Sequence, residues 1–174
     1  QIIHGNCGFD VIIGNPPYVT FTDVSLKYNV RQYSTYNTKN LFALCGERFT
    51  SLVCNNASIG YIIPLSGMSI DGFESLQNII YSNCHSWNSY YSGDRNPSEL
   101  FTGVKIRAGI YISRHQKGNG RKYVGRYIKY SAAERGILFS KINYVEIKDY
   151  ISAPKVPTTI GYSILQKIRG MNTT

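Results

Sequence analysis

Residues 9–18 constrain the fold of this chain more than any other segment. They read Phe-Asp-Val-Ile-Ile-Gly-Asn-Pro-Pro-Tyr, an apolar run followed by an amide, two prolines and an aromatic ring. The apolar run predicts a buried strand over about residues 10–14, and the prolines end it with a rigid turn because their φ is fixed and they lack an N–H. Open α/β sheets bind ligands beyond the carboxyl ends of such strands. The segment therefore predicts a corner whose oxygens can accept hydrogen bonds from an exocyclic NH2 group, with Tyr18 against a flat ring.

A plain tight turn after a core strand is the alternative interpretation of this corner. Such a turn would need neither both prolines nor the aromatic residue, so the interpretation as a binding corner is favoured.

Strand and helix patterns alternate along the first 115 residues. Short apolar runs predict strands at 58–64 and at 108–113, and a further strand is expected near 85–91. Helical spacing of apolar residues predicts helices after Asn40 and after Asp71. Asn40 can cap the first helix, and Glu74 stands at the capping-box distance from Asp71. The alternation predicts an α/β fold with a mostly parallel sheet and right-handed crossovers.

The rest of the chain contains a turn signal and a linker. Gly118-Asn119-Gly120 predicts a hairpin that joins the fourth strand to a strand-like stretch at 121–130. A linker with Pro154 and Pro157 and a helix at about 162–169 follow. The polar, tyrosine-rich stretch at 20–39 is too long for a simple connection, and we expect it to border the pocket and to be mobile.

Positive charge is concentrated in one segment. The net charge is +9, and nine of the nineteen Lys and Arg residues lie between Lys105 and Arg135, against the single acid Glu134. Tyrosines are interleaved with these cations, which is a plausible nucleic-acid footprint, although a solvated basic face is the alternative. The candidate phosphate contacts are Lys105, Arg107, Arg121, Lys122 and Arg126.

Composition excludes several classes of protein. No run of 18 apolar residues predicts a membrane span, and no signal peptide is visible. The four cysteines show no C-x-x-C spacing, which argues against a zinc site or a disulfide framework. We therefore expect a cytoplasmic protein with no metal and no membrane partner.

Residues 9–18 closely resemble motif IV of the DNA methyltransferases that modify exocyclic amino groups, above all the N6-adenine enzymes. Their signature is Asp/Asn/Ser-Pro-Pro-Tyr/Phe/Trp after a strand that often opens with Phe-Asp. Residues 40–48 look like motif V, residues 60–66 like motif VI and residues 99–110 like motif VIII of large restriction–modification enzymes with the γ motif order. The resemblance covers roughly residues 9–115.

This resemblance implies a partial Rossmann-like, S-adenosylmethionine-dependent methyltransferase fold, namely the carboxyl-terminal half of its sheet. It implies site-specific N6 methylation of an adenine flipped out of double-stranded DNA. The Asn15 side-chain oxygen and the Pro16 carbonyl would accept hydrogen bonds from the two N–H groups of the target amine. Pro17 would complete the catalytic corner. Tyr18 would stack on the base, and Phe101 would close the other face or serve equally well as a core residue.

The main cofactor loop of the family precedes motif IV and is missing from this chain. We therefore expect a piece of a larger restriction–modification enzyme that partners the remainder of its polypeptide and has little activity alone. The expected division is a catalytic half at 1–115, a basic hairpin extension at 116–153, and a linker and helix at 154–174 that lead toward a target recognition region. The alternatives are a protein-glutamine or RNA-base methyltransferase and a non-catalytic DNA-binding remnant.

Overall fold

The computed structural model describes residues 8–22, 28–93, 100, 105–116, 118–148, 152–156 and 158–171. These residues form a six-stranded sheet and four α-helices. The strands are β1 (Phe9–Gly14), β2 (Val53–Pro64), β3 (Cys84–Tyr91), β4 (Ala108–His115), β5 (Lys122–Ile128) and β6 (Val145–Ile147). The α-helices are α1 (Leu41–Leu52), α2 (Leu65–Ser69), α3 (Glu74–Ile80) and α4 (Thr159–Met171). Short 3-10 helices cover Ser34–Thr38, Asp71–Phe73, Ala132–Ile137 and Phe139–Lys141.

The sheet is mixed, with the strand order β1-β2-β4-β3-β5-β6. The α/β class is confirmed, but the expectation of a mostly parallel sheet is wrong. Only the β1–β2 and β3–β5 pairings are parallel, and β4 runs antiparallel to both of its neighbours. Tyr91, the last residue of β3, pairs with Ala108, the first of β4. Because β4 starts where β3 ends, it has to run back in the opposite direction.

The predicted hairpin at residues 118–120 is also wrong. β5 pairs with β3 rather than with β4, so the connection crosses the amino end of β3 instead of reversing at a tight turn. The Ser86 amide donates to the Arg121 carbonyl at 2.9 Å. A Cβ atom on Gly120 would lie 1.5 Å from the Cys84 carbonyl oxygen. Gly120 is therefore required for close approach of two backbones, whereas the Asn-Gly sequence predicted a positive φ.

The helix predicted after Asn40 is confirmed as α1, but Asn40 does not cap it through its side chain. Its amide nitrogen Nδ2 instead donates to the Thr38 carbonyl at 2.6 Å. The predicted capping box at Asp71 and Glu74 is likewise not formed. A capping box does form in the 3-10 helix that follows Ser131. The Asn40 side chain thus makes a local contact in place of the cap, whereas the Asp71 carboxylate accepts a long-range hydrogen bond from the Ser152 hydroxyl at 3.2 Å.

Helices cover one face of the sheet. The buried core lies between this face and helices α1 and α3, where Phe42, Leu76 and Ile80 pack on Tyr61 and Tyr111 of the sheet. On the opposite face, Val11, Ile13 and Ile112 are 58%, 83% and 45% exposed. One broad apolar surface of β1, β2 and β4 is therefore open to solvent. No helix in the described residues is long and apolar enough to cross a bilayer.

Candidate active site

The Asn-Pro-Pro-Tyr corner lies at the carboxyl edge of the sheet. β1 ends at Gly14, and the chain then turns through Asn15, which is exposed, and Pro16, which is buried. Phe49 of α1 lies beneath the turn, since a Cβ atom on Gly14 would meet its ring at 3.0 Å. The buried Pro16 and the Phe49 ring beneath Gly14 hold the corner against the protein, whereas Asn15 remains exposed.

Tyr18 is tied to Asn15 through its hydroxyl group. The Tyr18 hydroxyl donates to Asn15 Oδ1 at 2.6 Å, and the Ile62 carbonyl of β2 lies 3.1 Å from the same hydroxyl as an alternative acceptor. The ring is half-buried against the core, and burial raises the pKa of Tyr18 to about 12. The phenol therefore stays protonated at neutral pH and remains a donor. An amide oxygen has two lone pairs, so Asn15 Oδ1 keeps one acceptor position for a ligand.

The tyrosine-rich stretch at 20–39 begins and ends beside this corner. The Leu41 amide donates to the Val19 carbonyl, and the Phe21 amide to the Lys39 carbonyl, both at 2.9 Å. Glu47 of α1 accepts hydrogen bonds from the backbone amides of Ser34 and Thr35 and from the Thr35 hydroxyl, at 2.8–3.0 Å. Sequence reasoning placed Glu47 in a motif without assigning it a task; the structure shows it fastening the stretch to α1.

An apolar cavity of about 620 Å³ opens beside Asn15 on the uncovered face of the sheet. Its walls are mainly aliphatic, and no charged residue lines it in the described part of the chain. S-adenosylmethionine carries a sulfonium, an ammonium and a carboxylate, which need charged or strongly polar partners. The residues that line this cavity do not fit that cofactor.

The candidate phosphate contacts separate into two groups. Lys105 and Arg107 precede the first residue of β4, which pairs with Pro64 at the carboxyl end of β2, so they lie at the same sheet edge as Asn15. Arg121 and Lys122 stand at the amino end of β5, at the opposite edge. The structure therefore brings Lys105 and Arg107 to the sheet edge that carries the corner, and Arg126 lies in the half of β5 that is nearer to the same edge.

The cations of β5 differ in their surroundings. Lys122 Nζ lies 4.0 Å from the centroid of the Tyr81 ring, and burial lowers the pKa of Lys122 to about 8. Arg121 is exposed, with its guanidinium 3.9 Å from Glu146 Oε2. Arg126 is exposed on β5. Lys122 is thus partly a packing residue, whereas Arg121 and Arg126 remain available on the surface.

A second cavity of about 700 Å³ lies at the carboxyl edge of β2 and contains a cation that sequence reasoning missed. It is lined by Lys105, Arg107 and Lys155, and by Tyr127 of β5. Lys155 lies in the stretch predicted to be a linker, and its only sequence signal was its position between Pro154 and Pro157. Phe101, and most of the segment at 99–104, lie outside the described residues.

Within the described residues, no three His, Cys, Asp or Glu side chains are grouped so that they could hold a metal ion. The described cysteines Cys45, Cys54 and Cys84 form no disulfide bond.

A family model described as Eco57I restriction-modification methylase matches residues 1–96 of the chain. No curated protein matches this chain.

Solved structures share the fold over most of this chain. The DNA complex of DrdV matches with a TM-score of 0.63 and 17% identity, over 81% of this chain and 18% of that one. A nuclease-deletion mutant of the type ISP restriction-modification enzyme LlaGI, solved with a DNA substrate mimic, matches with a TM-score of 0.62 and 15% identity, over 83% of this chain and 18% of that one. The M protein of the type I restriction enzyme EcoKI matches with a TM-score of 0.52 and 11% identity, over 71% of this chain and 26% of that one. The chain thus spans about a fifth of the length of the first two structures.

Proposed function

Because this chain belongs to the Eco57I restriction-modification methylase family, we propose that it carries the target-binding corner of a site-specific DNA methyltransferase that modifies N6 of adenine. The observation that carries this proposal is the exposed Asn15 amide at the carboxyl edge of the sheet, held by the Tyr18 hydroxyl at 2.6 Å. An outward-facing acceptor on a rigid turn is what recognition of an exocyclic amine requires.

The chemistry follows from the properties of the amine. The lone pair of the adenine amino nitrogen is delocalised into the ring, which makes the nitrogen a poor nucleophile. Asn15 Oδ1 and the Pro16 carbonyl accept hydrogen bonds from its two N–H groups. These two hydrogen bonds favour a more pyramidal nitrogen with a localised lone pair. The acceptors are fixed before the substrate arrives, so no reorganisation is needed as charge develops.

The target adenine leaves the duplex to reach this corner, at a cost of a few kcal/mol in lost pairing and stacking. Stacking of the base on Tyr18 offsets part of that cost, by about 1–3 kcal/mol. Pro17 is exposed and borders the same turn, and Phe101 is proposed for the opposite side of the base.

S-adenosylmethionine is the methyl donor that the family implies. Since the cavity beside Asn15 does not fit it, the donor is held mainly by parts of a longer enzyme. We propose that residues 1–115 act as the catalytic part of that enzyme, followed by the basic extension at 116–153 and the linker and helix at 154–174.

The outer edge of β1 and the open face beside it are proposed contacts for the remainder of that polypeptide. Among the described strands, β1 pairs only with β2, so no described strand pairs with its other edge. Natural proteins cover such edges because they otherwise promote aggregation.

The proposal is tested by methyl transfer in the longer polypeptide that contains this chain. Asn15→Ala should lower the turnover of labelled S-adenosylmethionine on duplex DNA by about 100-fold, the size of effect seen when one preorganised polar group is removed from an active site. DNA affinity should remain at the wild-type level, because Asn15 carries no charge. Asn78→Ala is the matched control, since Asn78 is an exposed asparagine on α3.

Parallel incubations with RNA and with protein substrates separate this proposal from the two alternative substrates. Incorporation into adenine N6 of duplex DNA supports it. Full turnover by Asn15→Ala would contradict the mechanism, and DNA binding without methylation by the wild-type polypeptide would indicate a non-catalytic remnant.

A further inference from the structure

The second cavity, at the carboxyl edge of β2, is built from four separate segments of the chain, one of which contributes Tyr127 of β5. The turn from β2 into α2 forms its floor through Pro64 and Leu65, residues 105–107 form one wall, and Lys155 forms another. The complete lining is Pro64, Leu65, Ser66, Ser69, Ile70, Lys105, Ile106, Arg107, Tyr127 and Lys155. Among the described residues, three cations and no acidic side chain line this cavity, which is open to solvent.

Hydrogen bonds hold the segments in place. The Leu65 amide donates to the Arg107 carbonyl at 2.9 Å, which fixes the start of β4 beside α2. The Ala153 amide donates to the Met68 carbonyl at 3.2 Å. Ala153 and Val156 are buried on either side of Lys155, so this cation stands on an anchored segment.

A polar contact secures the segment that carries Lys155 to the helical layer. The Ser152 hydroxyl donates to Gln77 Oε1 at 3.0 Å, with Asp71 Oδ1 at 3.2 Å as the other acceptor. Asp71 does not line the cavity.

The cations lie close enough to repel one another. Partial burial lowers the pKa of Lys155, and the Arg107 guanidinium lowers it further. Lys155 Nζ lies 5.7 Å from the centroid of the Tyr90 ring, and this ring face supports the ammonium without neutralising it.

The cavity also lies close to the corner. The Tyr18 hydroxyl reaches the Ile62 carbonyl, and Leu65 of the cavity floor is three residues further along the chain. This separation is roughly 10 Å at the rise of an extended strand. A nucleic-acid strand that places one base at Asn15 can therefore place a neighbouring phosphate in the cavity.

We propose that this cavity binds a phosphodiester of the DNA strand next to the extruded base, with Lys155, Arg107 and Lys105 as its cations. The inference rests on the proposed function for its substrate, and it adds Lys155 as a positioning residue. Lys and Arg side chains bind phosphate through charge and through multiple N–H donors. The apolar floor and the Tyr127 ring offer surface to the sugar or to an adjacent base.

The salt dependence of DNA binding tests the proposal in the longer polypeptide, without requiring methyl transfer. Fluorescence anisotropy with a labelled 30-bp duplex (a length of about three helical turns) should show that Lys155→Ala and Arg107→Ala each weaken binding about tenfold. Each should also reduce the slope of log K against log salt by about one, the change expected for a lost phosphate contact. Lys155→Arg should retain both values because it retains the charge.

Two matched controls lie at the opposite edge of the sheet. Lys148 follows β6, and Arg114 lies near the end of β4, and both are exposed. Lys148→Ala and Arg114→Ala should leave affinity and slope close to the wild type. If Lys155→Ala changes the slope no more than Lys148→Ala does, with urea midpoints showing that both variants are folded, the phosphate site is overturned.

A second measurement locates the phosphate. Neutral methylphosphonate linkages are placed one at a time around the adenine that the wild-type enzyme methylates. One linkage should weaken wild-type binding and have no effect on Lys155→Ala; additive losses at every linkage would overturn the site. Failure of the proposed function can be distinguished from failure of the phosphate site. In the first case the wild-type polypeptide does not methylate DNA, but Lys155→Ala still changes the salt dependence of DNA binding.

Discussion

The Tyr18 hydroxyl fixes the orientation of the Asn15 amide. An exposed asparagine side chain ordinarily samples several rotamers, and it would lose that freedom only on binding its substrate. The 2.6 Å hydrogen bond to Asn15 Oδ1 and the nearby Ile62 carbonyl hold the pair against β2 before a ligand is present. Tyr18 therefore has two proposed tasks, as a stacking surface and as a positioning residue.

Substitution of Tyr18 separates these tasks. Tyr18→Phe keeps the ring and should lower the turnover of the longer polypeptide by about tenfold, which corresponds to about 1.4 kcal/mol. Tyr18→Ala removes the ring as well and should cost a further tenfold or more. Tyr28→Phe is the control, because Tyr28 is 79% exposed. Equal activities of Tyr18→Phe and Tyr18→Ala would show that the ring contributes no stacking.

The position and exposure of Asn15 could be anticipated from the sequence, because an apolar run that ends at two prolines has few structural solutions. The contact of the Tyr18 hydroxyl with the Ile62 carbonyl could not, since Ile62 belongs to another strand and lies 44 positions away in the sequence. Lys155 was missed for the same reason. Its neighbours Ser152 and Ala153 are held by contacts with α2, α3 and the turn between them, and no local pattern encodes such contacts.

For the strands, the local sequence pattern predicted where each strand lies in the chain better than it predicted which strands pair in the sheet. β3 and β4 were expected within two residues of their observed bounds, and β2 was expected from residue 58, whereas it begins at Val53. Their order in the sheet was not expected, because pairing depends on where the connections return the chain. The glycine-rich connection at 118–120 illustrates this limit: the same residues suit a hairpin turn and a close backbone crossing.

Gly120 tests the crossing directly. Gly120→Ala would place a Cβ atom 1.5 Å from the Cys84 carbonyl oxygen and should force the two backbones apart. We expect a loss of about 1–3 kcal/mol in the free energy of unfolding, measured by urea denaturation. Gly136→Ala is the control, because a Cβ atom there would meet nothing within 4 Å. A wild-type midpoint for Gly120→Ala would be inconsistent with the observed strand order.

In the described residues, the two faces of the sheet differ, because helices cover only one of them. Helices α1 and α3 bury one side of the sheet, whereas Val11, Ile13 and Ile112 remain exposed on the other. Exposed apolar patches of this kind mark interaction surfaces. We propose that the remainder of a longer polypeptide covers this face and the free edge of β1.

Ile13→Thr tests that coverage while preserving strand propensity. In the 174-residue chain the substitution should change the free energy of unfolding by less than about 0.5 kcal/mol, since Ile13 is 83% exposed. In the longer polypeptide it should cost about 1–3 kcal/mol, because the side chain is then buried. Ile137→Thr, at a site 53% exposed on a 3-10 helix, should show no such difference. Equal effects of Ile13→Thr in both proteins would refute coverage of this face.

The position of β4 between β2 and β3 has a consequence for synthesis on the ribosome. β2 and β3 emerge before the strand that joins them, so neither can complete its hydrogen bonding until residues 108–115 have left the exit tunnel. Non-local pairing of this kind slows folding and leaves strand edges open to wrong partners. The nascent polypeptide therefore passes through an interval in which edges of β2 and β3 are unpaired and chaperones have most to protect. Pairing of β4 with both strands ends the exposure of those two edges.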